Sequence, residues 1–425
     1  MEEFFSFLNR SVSPAHAVAV CEDYLTQHGF TRLEMAQPWK LEWGKQYYTP
    51  FFDTSLIAFT VGERFSAEDG FRIAAAHTDW PCLRVKPRPE QISGGCCKLN
   101  VEPYGGAIFS TWLDRPLSLA GQICLKTEDP MHPELRLFSF DHPVLTIPNL
   151  AIHMNREVNK GVALKANVDM LPLCRTVEQA WEKDNYLLKC LAKALKCNVT
   201  DILSYDLCVY NAEPAALVGL EQDMISAPRL DNITSVYACM HGLTHASRSA
   251  GVNVAVIYDN EEVGSNTKQG ADSAMLTNVL EKISISLGLQ RSAYLDAMMH
   301  GMLLSCDVAH AAHPNHMELS DAGCQPYMNR GLVLKMNFNQ AYPTDATGTA
   351  IVQGLCRANH IPCQQFMNRS DLRGGSTIGA MASARMTMRT VDVGVPILAM
   401  HSARELMGAE DEVALCRLTA AFYSA

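Results

Sequence analysis

The sequence predicts an α/β protein, with a mainly parallel sheet flanked by helices and a β-rich domain inserted into it. From Arg229 onward, short β-branched runs alternate with segments of helical spacing, the order that builds a parallel sheet. Two more strand-like runs, 55–61 and 71–76, lie in the first part of the chain, residues 1–87. Between about 88 and 228 the apolar runs are shorter and are broken by Gly and Pro, which indicates the inserted domain.

Length and composition limit the classes of protein that this chain can be. A chain of 425 residues exceeds one ordinary core, which suggests two domains or one large one. Because 88–228 has the pattern of an insertion, residues 1–87 and 229–425 are expected to form one domain around it. The net charge of −10 argues against a nucleic acid or an anionic membrane as partner. The chain has no run of 18 apolar residues, so no transmembrane helix is expected.

Cysteine usage and the first residues predict a cytoplasmic protein. The 15 cysteines are scattered without a CxxC pair, which argues against a structural zinc cluster. The acidic start, Met1 to Phe5, lacks the basic flank and the long apolar segment of a signal peptide. We therefore expect reduced thiols in the cytoplasm.

Local signals predict the individual elements. Ser13 and Pro14 suit the N-cap and the first turn of a helix that ends before Gly29. Segment 87–89, with two prolines, marks the first domain boundary and Pro228 marks the second. The other predicted elements are strands at 55–61, 71–76 and 82–86, a helix at 177–196, a helix from 231 to about 247, a strand at 252–258, a helix at 271–287, a strand leading to Asp307, a helix from 345 to 359, a strand at 363–367 and a strand at 390–400.

Acid and imidazole side chains follow several of the predicted strands. They are His77, Glu261 with Glu262, Asp307 and His401. Because binding sites of open α/β sheets form at the carboxyl ends of the strands, these side chains are expected to meet at one edge. Asp231 stands at the entrance of a helix, where it could bridge two metal ions or only cap the helix.

Segment 259–265 carries three carboxylates in four positions directly after a predicted buried strand. Like charges at this distance repel each other unless a cation lies among them or a pKa rises. One carboxylate of Glu261 and Glu262 could bind a metal while the other accepts a proton from an activated water. Taken alone, the segment is more typical of a solvated acidic loop. No role follows for Asp259.

Other residues resemble known sites but are interpreted differently. Three histidines follow Asp307, namely His310, His313 and His316. Pro314 breaks the helix that would align them, so Asp307 is preferred as the ligand of that segment. The pair His241 and His245 lacks the intervening Glu that metalloprotease chemistry needs and is interpreted as structural. The glycine-rich segment 374–379 matches no nucleotide-binding pattern and is interpreted as a close approach of the backbone to substrate.

Five segments together carry a resemblance to a known family. They are His77-Thr78-Asp79, Arg229-Leu230-Asp231-Asn232, Asp259-Asn260-Glu261-Glu262-Val263-Gly264-Ser265, Asp307-Val308-Ala309-His310-Ala311 and Met400-His401-Ser402-Ala403-Arg404-Glu405. In this order they resemble the aspartyl aminopeptidase family of dinuclear zinc metallopeptidases, which includes vacuolar aminopeptidase I. The resemblance implies a zinc-exopeptidase-like α/β domain interrupted by a β-rich dimerisation domain, and a homo-oligomer of twelve subunits built from dimers.

The resemblance also implies a role for each candidate residue. His77 and Asp307 would hold one Zn²⁺, Glu262 and His401 would hold the other, and Asp231 would bridge the two; Co²⁺ or Mn²⁺ could take the same places. Glu261 would be the general base, and Asp79 would orient His77 through its second ring nitrogen.

Two further residues are carried over as substrate-binding candidates. Segment 147–153 resembles the part of the insertion that reaches a neighbouring subunit's active site, which makes His153 the candidate histidine; the alternative is a histidine in an ordinary turn. Lys335 resembles the family's cation for acidic side chains, with a surface lysine as the alternative.

The predicted activity is that of a metal-dependent aminopeptidase acting on peptides, with a preference for N-terminal Asp or Glu. Two alternatives stay open: a dinuclear zinc deacylase of N-acyl amino acids, and a catalytically silent scaffold. Candidates at all five ligand positions argue against the scaffold, because a scaffold has no need of them.

Overall fold

A computed structural model describes residues 1–178, 183–372 and 374–425. The α-helices are α1 (Glu2–Arg10), α2 (Pro14–Gln27), α3 (Tyr186–Leu195), α4 (Leu230–His245), α5 (Met275–Ser286), α6 (Arg291–Met299), α7 (Ala346–Ala358), α8 (Ile378–Met386) and α9 (Ala409–Ser424). The strands are β1 (Thr31–Arg32), β2 (Gln46–Phe51), β3 (Ser55–Val61), β4 (Phe71–His77), β5 (Cys82–Ser93), β6 (Cys96–Tyr104), β7 (Leu117–Leu125), β8 (Glu134–Ser139), β9 (Leu173–Thr176), β10 (Ile202–Asn211), β11 (Ala216–Val218), β12 (Met224–Ala227), β13 (Val252–Tyr258), β14 (Met302–Cys306), β15 (Ala309–His310), β16 (Leu332–Lys335), β17 (Cys363–Phe366), β18 (Arg389–Gly394), β19 (Pro396–Leu398) and β20 (Glu405–Gly408).

The chain forms two compact units. The first consists of Met1–Asp79, Ala215–Met400 and Glu405–Ala425, and the second of Trp80–Pro214 with His401–Arg404. The longer segment of the second unit is Trp80–Pro214, whereas the sequence predicts the insertion at 88–228.

The first unit is built on a nine-stranded sheet of order β1-β2-β3-β13-β4-β14-β18-β16-β17. At its centre β13, β4, β14 and β18 run parallel, so their carboxyl ends share one edge. Helices α5 and α8 contribute buried residues to the core with these strands, while α4 and α9 pack against β4. The predicted α/β class with a mainly parallel sheet and flanking helices is confirmed.

Helix α9 is fastened to the centre of this sheet by one buried side chain. The hydroxyl of Tyr423 donates to the main-chain oxygen of Val254 at 2.8 Å and accepts from the N–H of Ala74 at 3.2 Å. These two residues lie on β13 and β4, so the helix holds together the two strands that end at the candidate site.

Several predicted elements are confirmed with their caps. The Ser13 hydroxyl accepts the N–H of His16 at the start of α2, and the Asp345 carboxylate accepts the N–H of Gly348 at the start of α7. The predicted helix at 177–196 is shorter: α3 begins at Tyr186, and residues 179–182 lie outside the described residues.

The strand predicted at 390–400 is wrong as a single element. It divides at Val395 into β18 of the nine-stranded sheet and β19 of a five-stranded sheet of order β11-β12-β20-β19-β15. The chain passes so close to Asp307 there that a Cβ on Gly394 would lie 1.7 Å from the Asp307 main-chain oxygen. His401 therefore follows a strand of the smaller sheet rather than of the central one.

The second unit contains an antiparallel six-stranded sheet of order β8-β7-β10-β5-β6-β9, together with α3. The proline segment 87–89 lies inside β5, in an irregular stretch between Val85 and Glu90 where the pairing register shifts. Proline is tolerated at such irregularities, which is why the pair does not end the strand.

Two chain-wide features concern hydrophobicity and thiols. Within the described ranges, every helix is too short or too polar to cross a membrane. All 15 cysteines are free thiols.

Candidate metal centre

The parallel pairing of β4, β13 and β14 assembles the site. His77 is the last residue of β4 and lies opposite Tyr258, the last residue of β13. Asp307 follows β14 directly, and its N–H donates to the main-chain oxygen of Val393 at 2.9 Å. Side chains that are far apart in sequence therefore leave the sheet at the same edge.

The two ring nitrogens of His77 face different residues: Nδ1 faces Asp79, and Nε2 faces Asp231 and Asp307. Nδ1 lies 3.1 Å from the main-chain oxygen of Asp79 and 3.4 Å from its Oδ1. Nε2 lies 3.6 Å from Oδ1 of Asp231 and 3.6 Å from Oδ1 of Asp307. The ligand atoms of His77, Asp231 and Asp307 all lie within 4.8 Å of one another, which is the spacing of residues around one ion.

Asp231 connects this group to the acidic loop. One of its carboxylate oxygens lies within 4.8 Å of a carboxylate oxygen of Glu262. Asp231 sits in a kinked, non-helical first turn of α4, where its N–H donates to Oε2 of Glu405 at 3.0 Å. The next residue, Asn232, donates from its side chain to the main-chain oxygen of Cys306 at 3.0 Å. These bonds aim the Asp231 carboxylate at the ends of β4 and β14.

Asp79 has a second role that the sequence did not indicate. The N–H groups of Glu261 and Glu262 donate to its Oδ1 and Oδ2, each at 3.1 Å. One buried carboxylate thus faces the His77 imidazole and also fixes the short 3-10 turn Glu261–Val263. Only the pairing of β4 with β13 reveals this contact, because the partners are more than 180 residues apart.

Asp259, which had no predicted role, supports the same loop. Its Oδ1 accepts the N–H of Asn260 at 2.7 Å and its Oδ2 accepts the Gln269 amide at 2.9 Å. Burial and the nearby Asp79 raise the pKa of Asp259 to about 6.

The carboxylates of Glu261 and Glu262 are buried close to other carboxylates, which disfavours their negative charge. Burial raises the pKa of Glu261 to about 8, and Asp307, Asp79 and Asp231 add to the rise against the opposing charge of His77. Burial, followed by Asp231 and Glu261, raises the pKa of Glu262 well above its usual value. Such repulsion is relieved when divalent cations bind, and carboxylate oxygens with an imidazole nitrogen form a donor set that Zn²⁺ accepts. The residues present fit a zinc site.

In two other groups of the site, His77 and Asp307, the neighbouring charges shift the pKa so that the charged form is favoured. Although burial lowers the pKa of His77, its contacts with Asp307 and Asp79 raise it well above the usual value. Burial would raise the pKa of Asp307, but Lys335 and His77 together hold it below its usual range.

Lys335 is buried, so the alternative of a surface lysine is wrong. Only 1% of the residue is exposed, and Nζ donates to the main-chain oxygen of Val308 at 3.1 Å and to Oδ2 of Asp307 at 3.5 Å. The ammonium also lies 5.1 Å from the ring centroid of Tyr342.

The two remaining candidates belong to the second unit. Nδ1 of His401 bonds to the main-chain oxygen of Gly106 at 3.2 Å, an arrangement that presents Nε2 as a ligand atom. His153 is exposed in a turn.

The histidines set aside in the sequence lie outside this centre. The rings of His241 and His245 stack with centroids 4.0 Å apart, and burial lowers the pKa of His241 to about 4. His310, His313 and His316 are exposed. In the glycine-rich segment, a Cβ on Gly379 would meet the Ser305 and Asp392 side chains, so the close approach found there is to the protein's own core.

An imidazole and several carboxylates at the carboxyl edge of an α/β sheet, with a further acid beside them, define a metal-dependent hydrolase site. The family model for the aminopeptidase I zinc metalloprotease (M18) matches residues 7–423. A probable M18 family aminopeptidase 2 of Clostridium novyi (strain NT) is 43% identical over 423 residues, covering 99% of this chain and 98% of the relative. The chain belongs to the M18 family of zinc metallopeptidases, so the resemblance is confirmed.

Solved structures agree with this membership. The chain matches Ape4 from the cryo-EM structure of the Ape4 and Nbr1 complex with a TM-score of 0.95 and 33% identity, covering 100% of this chain and 85% of that one. It matches mApe1 of S. cerevisiae, solved as a dodecamer, with a TM-score of 0.86 and 27% identity, covering 99% and 95%.

Proposed function

We propose that this M18 aminopeptidase uses two zinc ions per subunit and Glu261 as general base to remove N-terminal residues from peptides. The observation that carries the proposal is the group of buried carboxylates around His77, whose mutual repulsion calls for divalent charge. In the proposed site His77 and Asp307 would hold one ion, Glu262 and His401 would hold the other, and Asp231 would contribute to both. Co²⁺ or Mn²⁺ could take the same places.

The chain's own residues would bind, orient and transfer protons. When bound, the two ions would polarise the scissile carbonyl and lower the pKa of a water molecule. Glu261 would accept a proton from the attacking water and pass it to the leaving amine. Asp79 supports this role, because its carboxylate accepts the N–H of Glu261 while its main-chain oxygen lies 3.1 Å from Nδ1 of His77.

The proposal extends to specificity and assembly. We carry over the preference for acidic N-terminal side chains with Lys335 as its cation, whose ammonium lies beside the proposed zinc ligand Asp307. Because mApe1 forms a dodecamer, we extend a dodecamer built from dimers to this chain, with the exposed His153 reaching a neighbouring subunit's site. The 15 free thiols support a cytoplasmic location.

A panel of aminoacyl anilides tests the activity and separates it from the deacylase alternative. The zinc-loaded protein should cleave Asp and Glu anilides with a higher kcat/KM than Leu anilide, and should lose all cleavage after chelation. The same anilides with an acetylated amine are the matched control. Cleavage of only the acetylated set would establish a deacylase, and no cleavage of either set by zinc-loaded protein would favour the scaffold.

Zinc binding should release protons at neutral pH. The metal-free protein holds protons on the proposed ligands His77 and Glu262 and on the proposed base Glu261, whose pKa values are raised. Zinc ligands bind in the deprotonated form, and the charge of the ions should also displace the proton of the adjacent Glu261. Zinc affinity should therefore fall as the pH is lowered through about 8, where Glu261 takes up a proton and its negative charge no longer attracts the ions. Calorimetry in two buffers of different ionisation enthalpy measures the released protons. Equal binding heats in both buffers would contradict the charge assignment.

A further inference from the structure

A second buried carboxylate, that of Asp392, lies on the strand next to Lys335. Asp392 is the direct partner of Lys335 in the antiparallel pairing of β16 with β18, and directly opposite side chains lie on the same face of a sheet. Asp392 is 0% exposed and Lys335 is 1% exposed. The Lys335 ammonium bonds to Asp307 in the proposed metal site, and Asp392 is its cross-strand neighbour on the same face of the sheet.

Asp392 is held firmly in this position. Its Oδ1 accepts the hydroxyl of Thr377 at 2.7 Å, and its N–H donates to the hydroxyl of Thr344 at 2.9 Å. Gly379 lets the first turn of α8 approach, since a Cβ there would lie 2.9 Å from Oδ2 of Asp392. The close packing against Asp392 therefore explains why a glycine occupies position 379.

We propose that Asp392 is a positioning residue of the metal centre, whose buried negative charge attracts the Lys335 ammonium and so keeps the Asp307 carboxylate available as a zinc ligand. The inference rests on the proposed metal site. A buried ammonium with Asp307 as its only counter-charge would compete with zinc for that carboxylate, whereas Asp392 takes part of the positive charge. Replacing a residue that contacts a metal ligand but not the metal commonly changes metal affinity by roughly 10- to 100-fold.

Zinc titrations of the full-length protein test this role. Asp392→Asn keeps the shape and the acceptor for Thr377 but removes the charge, so zinc should bind about 10-fold more weakly. Adding Lys335→Met to that variant removes the competing cation and should restore most of the affinity. A purely structural role for Asp392 predicts the reverse, because the second change would add damage. The readout is the zinc Kd, measured by competition with a chromophoric chelator.

Two further variants complete the experiment. Asp411→Asn is the matched control: this buried carboxylate accepts the N–H groups of Asn329 and Gly331, and its loss should lower stability but not zinc affinity. If Asp392→Asn does not fold, Thr377→Val removes only the hydroxyl that holds Asp392 and should weaken zinc binding in the same direction.

The outcomes separate the two proposals. A wild-type protein that binds no zinc would overturn the proposed function. If the wild type binds zinc and the zinc Kd of Asp392→Asn is within about twofold of the wild-type value, only the role of Asp392 is overturned. Thr377→Val replaces Asp392→Asn in this comparison if the latter does not fold.

Discussion

Replacing Glu261 by Gln should lower kcat by roughly 10³-fold while the zinc content stays unchanged. The amide keeps the length of the side chain and leaves the backbone bond to Asp79 intact, but it cannot accept a proton. The measurements are kcat on an Asp anilide and metal content by mass spectrometry on the same sample.

Glu262→Gln is the control for this prediction. It changes the adjacent residue of the same short turn, whose N–H also donates to Asp79. As a proposed ligand, Glu262 should lose zinc when it is replaced. Full turnover in Glu261→Gln would contradict its role as general base, and loss of metal from that variant alone would show that the two roles have been assigned the wrong way round.

Replacing Asp231 by Asn should remove both zinc ions and bring activity below detection. The carboxylate of Asp231 lies within ligand spacing of His77 and Asp307 and also of Glu262, so a single change affects both proposed ion positions. Asp307→Asn should affect only one of them. Metal content after gel filtration in zinc-free buffer, compared between the two variants, measures the difference.

Asp259→Asn is the matched control for the loss of zinc. It removes a buried carboxylate from the same loop, but one that accepts hydrogen bonds from Asn260 and Gln269. It should lower thermal stability while zinc remains bound. Retention of both ions by Asp231→Asn would contradict the bridging role.

Predictions from sequence succeeded where the determining interactions are local. The strand at 252–258 is present as predicted because a short β-branched run has few alternatives. The caps at Ser13 and Asp345 are present because a cap involves only the next turn of its own helix. The shared edge of β4, β13 and β14 followed from the general rule for parallel sheets.

The failures share a different cause. The break at Val395 depends on a backbone that passes against Asp307, almost ninety residues earlier. The burial of Lys335, which excludes the alternative of a surface lysine, depends on the pairing of β16 with β18. Asp79 and Asp259 could not be given their roles in the loop because their contacts arise only after the strands have paired.

The residue types of the site, their order and their family were therefore determined by the sequence, because ligand chemistry and strand ends are encoded in short segments. The charge balance of the site was decided by the tertiary structure alone. Burial raises the pKa of Glu261 to about 8, Asp79 contacts both an imidazole and a loop, and the Lys335 ammonium bonds to Asp307 with Asp392 opposite it on the next strand. These properties depend on distances across strands and on exclusion of water, which no local pattern specifies.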